Sequence, residues 1–171
     1  MTSSPSRWAR WAAYGVPLAI LPSTLYRFTL VPDDATIGEK IYIPGLSIVS
    51  FAFALLAVGL VRPWGETVPD WVPFAGGRTL AVRTVVVPAA VVSAALTLAF
   101  TYGLLNHFFG FVEPGAAPVL IGEERPDDVT DLGVAGGAAY LPVVAWGPLL
   151  AVATYAYHRR RTSVERAPVP A

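Results

Sequence analysis

Four stretches of this chain run without a formal charge for long enough to dictate its surroundings: Trp11 to Tyr26, Ile41 to Val61, Thr84 to Val112 and Leu132 to His158. A hydrocarbon core roughly 30 Å thick is crossed by about 20 apolar residues in helical form, so each stretch is a candidate span. Composition agrees: 54% of the 171 residues are hydrophobic and 14% are charged, more apolar and less charged than a water-soluble domain. In lipid every backbone amide needs a partner within the chain, which makes the spans helices. The first is short, but Arg27 can extend its stem toward the interface, giving spans at about 10–30, 41–61, 84–110 and 138–158. The last is expected to start after its Gly-rich opening and to stop at Tyr157 and His158. The reading is one all-α domain over 1–171, an integral membrane four-helix bundle.

Arginine placement sets the orientation. Nine of the twelve basic residues (Arg7, Arg10, Arg62, Arg78, Arg83, Arg159, Arg160, Arg161 and Arg166) fall on the N-terminal tail, the 62–83 loop and the C-terminal tail. Arg27, Lys40 and Arg125 occupy the other side. The positive-inside rule therefore predicts both termini in the cytoplasm (N-in/C-in), with loops 31–40 and 111–137 outside a bacterial inner membrane. Arg7 and Arg10 ahead of an apolar run imitate a secretory signal, but Pro22, Tyr26 and Arg27 occupy the region where cleavage would fall, so an uncleaved first helix is expected. Trp8, Trp11, Trp64, Trp71, Tyr42, Tyr155 and Tyr157 lie near the proposed boundaries, where aromatic rings anchor a helix.

Several function classes are excluded. Twelve acidic residues cancel the twelve basic ones, leaving no positive excess for a nucleic-acid partner. The absence of cysteine removes thiolate chemistry and cysteine-ligated metals, and two histidines on opposite sides cannot supply a metal site. The loop from Arg62 to Arg78 contains Gly76-Gly77-Arg78 but no Gly-rich turn followed by Lys-Ser or Lys-Thr, so it is not a phosphate cradle. Asp127, Asp128 and Asp131 lack the spacing of a calcium loop.

Within the spans, Ser47, Ser50, Ala54 and Ala57 give the second helix a small face suited to close packing. Ser93, Thr97 and Thr101 form a polar stripe on the third, able to bond back to its own helix or across to a neighbour. Prolines 17, 22, 88, 142 and 148 each delete a backbone donor and open the helix locally. Residues that are expensive in lipid gather at the outer ends of the spans: Arg27, Glu39, Asn106, His107, Glu113 and Tyr140. An ion pair between Arg27 and Glu39 is the structural reading. The chemical reading makes Glu39 or Glu113 a protonated general acid, with Arg27 and His107 orienting or tuning it. Tyr26, Tyr102, Phe108, Tyr140 and Trp146 would then line a water-poor pocket and stabilise a carbocation formed from a lipid-soluble isoprenoid. Protonation would start such a reaction without metal or other cofactor.

The segments Pro22-Ser-Thr-Leu-Tyr-Arg27, Gly59-Leu-Val-Arg-Pro-Trp-Gly-Glu66, Trp71-Val-Pro-Phe-Ala-Gly-Gly-Arg78 and Trp146-Gly-Pro-Leu-Leu-Ala-Val-Ala-Thr-Tyr-Ala-Tyr157 resemble motifs of small four-helix membrane proteins of high-GC Gram-positive bacteria. That resemblance implies an inner-membrane location. A weaker similarity is to membrane-bound terpene cyclases of the drimentine type, and it implies cyclisation of a prenyl chain. The expected function is thus a membrane-embedded, proton-initiated terpene cyclase, with membrane lipid and an isoprenoid-type substrate as partners. The alternative is a non-enzymatic membrane protein, an accessory subunit or a carrier working as a homo-oligomer, in which the small face of the second helix is buried against another chain. A proton-coupled transporter is disfavoured because the chain shows little internal repeat.

Overall fold

The computed structural model describes residues 4–29, 31, 36–67, 70, 76–111 and 133–165, with Glu39, His107, Val164 and Glu165 described in their backbone alone. Helix α1 spans Arg7–Thr29, α2 Ile37–Gly59, α3 Val82–Phe109, α4 Gly133–Tyr140 and α5 Trp146–Glu165. A 3₁₀ turn at Pro63–Gly65 follows α2, and a second at Leu141–Ala145 joins α4 to α5. Among the described residues there is no strand, only an isolated bridge between Thr67 and Thr79 in the loop before α3. The chain is all-helical, as its sequence predicts.

Three helical stretches, Lys40–Gly59, Val82–Asn106 and Val134–Ser163, are long and apolar enough to cross a membrane. The fourth expected span, carried by α1, does not join them. Pro17, Pro22, Ser23, Thr24, two tyrosines and three arginines, Arg7 and Arg10 near its start and Arg27 near its end, dilute its apolar content. It is nevertheless the most enclosed of the long helices: Ala9, Ala12, Ala13, Val16, Pro17, Ala19, Ile20, Ser23 and Thr24 are all buried. A helix screened by its neighbours needs less hydrocarbon of its own, and 23 residues make it about 34 Å long, enough to match α2.

The packing follows from side-chain size. Helix α1 packs against both α2 and α5, and α5 packs against α3, so α1 and α5 are the inner helices. Their contacts are built from small residues: Ala9, Ala12, Ala13, Ala54, Ala57 and Ala153 belong to the core. The large apolar side chains point outward instead, among them Leu18, Leu25, Ile41, Ile48, Phe53, Leu56, Val91 and Leu98. A protein folded in water would reverse that arrangement, because a continuous apolar exterior costs free energy against water and nothing against lipid. The small face of α2 is used inside the chain: Ser47 and Ala54 are completely buried, and α2 packs chiefly against α1.

Two helix boundaries depart from expectation. The Gly-rich segment expected to precede the last span is itself helical as α4, consistent with a medium in which unpaired amides are costly. Pro142, lacking an N–H, then falls in the 3₁₀ turn that separates α4 from α5. At the other end α5 continues beyond His158 through Glu165, because Arg160 and Arg161 are drawn to a carboxylate in the 62–83 loop. Helix α3 stops at Phe109, where Gly110 adopts φ 61° and its N–H bonds Asn106 O at 2.8 Å.

Helices α3 and α5 meet tightly at Gly147. Ser93 Oγ donates to Gly147 O at 3.0 Å, and Thr97 Oγ1 donates back to Ser93 O at 2.8 Å, so the polar stripe bonds both across and within. A Cβ on Gly147 would overlap the Thr97 hydroxyl, and its other neighbours are backbone, Thr97 N at 2.6 Å and Ser93 O at 2.9 Å. Gly147→Ala is therefore expected to push α5 from α3 at a cost of about 1–3 kcal/mol, read as earlier unfolding in graded detergent. Gly103→Ala, where a Cβ meets nothing within 4 Å, should be neutral or stabilising. Equal behaviour of the two variants would contradict this packing.

Candidate functional site

Polar side chains gather at the two ends of the molecule, and a groove lies between them. At the arginine-rich end Glu66 is buried in the loop after α2, and its carboxylate accepts from both Arg160 and Arg161. Arg160 Nη2 also reaches Leu60 O at 3.3 Å, and Arg161 Nη2 donates to Leu80 O at 3.1 Å. Tyr157, among the most buried side chains, donates its hydroxyl to Gly65 O at 3.1 Å. Arg62 Nε meets the Tyr14 hydroxyl at 2.7 Å. The ends of α2 and α5, the 62–83 loop and the first half of α1 are thus tied into one knot. These links serve the fold, since the carboxylate is occupied by two guanidinium groups.

At the opposite end three of the expected site residues come together. Arg27 Nε donates to the Tyr140 hydroxyl at 3.1 Å, and its guanidinium carbon lies 5.6 Å from the centre of the Tyr140 ring. Tyr26 meets the same ring edge-on at 6.3 Å. Trp146 is half-buried and stacks on Phe100 at 6.1 Å, whereas Tyr102 and Phe108 are exposed on α3. Glu113 lies outside the described residues, as do Asp127, Asp128 and Asp131, and the side chains of Glu39 and His107. Among the described residues no group of three acidic or histidine side chains comes together to hold a metal ion.

The groove was not anticipated. It runs between α3 and α5, has a volume of about 630 Å³ and is bordered by Val86, Ala90, Ser93, Ala94, Thr97 and Leu98 on one side and Ala151, Thr154, Tyr155 and His158 on the other. That volume lies within the roughly 300–1,000 Å³ typical of small-molecule sites. Among the described residues, none of the expected site residues borders it and none of its lining residues is acidic. Three of its hydroxyls are already committed: Ser93, Thr97 and Thr154 donate to Gly147 O, Ser93 O and Leu150 O. What remains for an occupant is a mainly apolar trough, with Tyr155 and His158 as its further polar side chains. The signal in the sequence was the pairing of Ala90 and Ala94 at a step of four with Ala151, Thr154, Tyr155 and His158 at steps of three and four. Small residues at the same level on adjacent helices leave a channel between the larger ones above and below.

No family model, curated protein or solved structure matches the chain.

Removing the carboxylate from the knot tests its role. Glu66→Gln strands two arginines, one of them with a side chain only 10% exposed, and should cost about 3 kcal/mol of stability in detergent-titrated unfolding. Wild-type stability in that variant would mean that the pairs are screened surface charges.

Proposed function

We propose that this protein is an integral protein of the bacterial inner membrane that holds a prenyl-type hydrocarbon chain in the groove between α3 and α5. The observation that carries this reading is the groove itself, lined mainly by apolar residues, with the hydroxyls of Ser93, Thr97 and Thr154 already bonded within the chain. A polar ligand would find little to bond there, whereas a lipid chain loses nothing by entering. In this reading the protein crosses the membrane four times as a bundle, α1 included, with both termini cytoplasmic. Support comes from the arginine asymmetry, reinforced by the way Arg62, Arg160 and Arg161 converge with the 62–83 loop at one end. The lack of an acid in the groove lining favours binding or carriage of the chain over its chemical conversion there.

A catalytic second reading draws on the meeting of Arg27, Tyr26 and Tyr140 at the outer end. Glu39 or Glu113 would protonate one double bond of a prenyl chain, a second double bond would close the ring on the resulting cation, and loss of a proton would restore the acid. The product is an isomer of the substrate, so no metal or redox partner enters the balance. Such a cyclase acts at the outer end and not in the groove.

Two measurements separate these readings. A prenyl alcohol carrying a benzophenone, photolysed with the purified protein in nanodiscs, should label peptides covering residues 86–98 and 151–158. Label confined to other helices would contradict the binding site. Glu39→Gln and Glu113→Gln membranes supplied with prenyl substrates test the acids: cyclic product lost in one variant supports the catalytic reading, and full product formation in both removes these residues from it.

A further inference from the structure

The groove has two unlike ends, and the difference identifies what its occupant carries. Toward Leu98 its walls are hydrocarbon. At the other end His158 borders it, exposed, at the level where α5 leaves its apolar stretch and enters Arg159, Arg160 and Arg161. The contact of Ser93 with Gly147 fixes an antiparallel register between the two helices. About three helical turns from that contact bring α5 to His158 and α3 to Arg83. Arg83 is exposed and stands on the same face of α3 as Val86 and Ala90, at steps of three and four. The nearby Glu66 does not neutralise this end, because it is shared by Arg160 and Arg161, which leaves that trio with one formal positive charge. Arg83 and Arg159 add to it. The trough therefore passes from apolar walls to a cationic mouth, complementary to a hydrocarbon chain ending in an anion.

We infer that the groove takes a phosphorylated lipid, its prenyl-type chain lying along Ala90, Ala94 and Ala151 and its phosphate held at the mouth by Arg83 and His158. This inference rests on the groove reading proposed above and adds the head group to it. Guanidinium and imidazole donors suit a phosphate oxygen, and hydrogen bonds to charged groups are the stronger kind. The hydrocarbon alone would need no such mouth, and a free phosphate would need no trough.

Affinity measurements in nanodiscs of uncharged lipid test it, using a fifteen-carbon prenyl alcohol, its monophosphate and inorganic phosphate as probes. The monophosphate should bind roughly tenfold or more tightly than the alcohol. In Arg83→Gln/His158→Gln that ratio should fall to near one, and inorganic phosphate in millimolar excess should not displace the lipid. Equal affinity of alcohol and monophosphate in the wild type, with the photolabel still in the groove, would overturn the head-group assignment and leave the groove reading intact. An unchanged ratio in the double variant would also overturn that assignment. Displacement by inorganic phosphate would assign the mouth to a free anion. Failure of both prenyl probes to bind, or a photolabel outside residues 86–98 and 151–158, would overturn the groove reading itself.

Discussion

In hydrocarbon a backbone amide without a partner costs several kcal/mol, and the rest of this structure depends on that constraint. It explains why the glycines of α4 are helical and why an αL glycine closes α3 by capping onto Asn106. It also explains why Ser23, Ser47, Ser93, Thr97 and Thr154 bond to carbonyls within their own helix or the next one, although the buried Thr24 hydroxyl is left without a partner. With the backbone satisfied internally, association between helices rests on close contact, and small residues fill the seams. The large aliphatic side chains are left for the exterior, giving the molecule an outer surface suited to lipid.

The two ends of the helices are held by different means. At one end a buried carboxylate shared by two arginines, together with the Tyr157 hydroxyl, ties the exit of α5 to the turn after α2 and to the loop leading into α3. At the other, Arg27 meets the ring and hydroxyl of Tyr140, and Tyr26 packs edge-on against the same ring, joining α1 to α4. The first is a network that loses its balance when one member is removed. The groove opens between α3 and α5, whose tight contact at Gly147 limits their spacing while the alanines on either side of that contact leave the trough.

Much of the fold was legible in the sequence because it followed from charge-free length: the helical class, the second and third spans and the small face of α2 all come from runs and steps visible in the residues. The continuation of α5 past His158 was not legible, because it depends on Glu66, a residue 94 positions from Arg160. Nor was the central position of α1, whose modest hydropathy reads as a weak span until its burial by α2 and α5 is known. For the site, the proximity of Arg27, Tyr26 and Tyr140 followed from shared depth at one end of the spans. The groove did not, since it is formed by what two helices omit at the same level, and a sequence read one helix at a time shows only that each has alanines.

The proposed threading of the chain through lipid can be measured with single substitutions, because the sequence has no cysteine. Ser6→Cys, Thr36→Cys and Ser163→Cys proteins expressed in intact bacterial cells would be treated with a membrane-impermeant maleimide, before and after permeabilisation of the inner membrane. Thr36→Cys should label in intact cells, with Ser6→Cys and Ser163→Cys labelling only after permeabilisation. Labelling of either terminal position in intact cells, or recovery of the protein in the soluble fraction, would contradict the account.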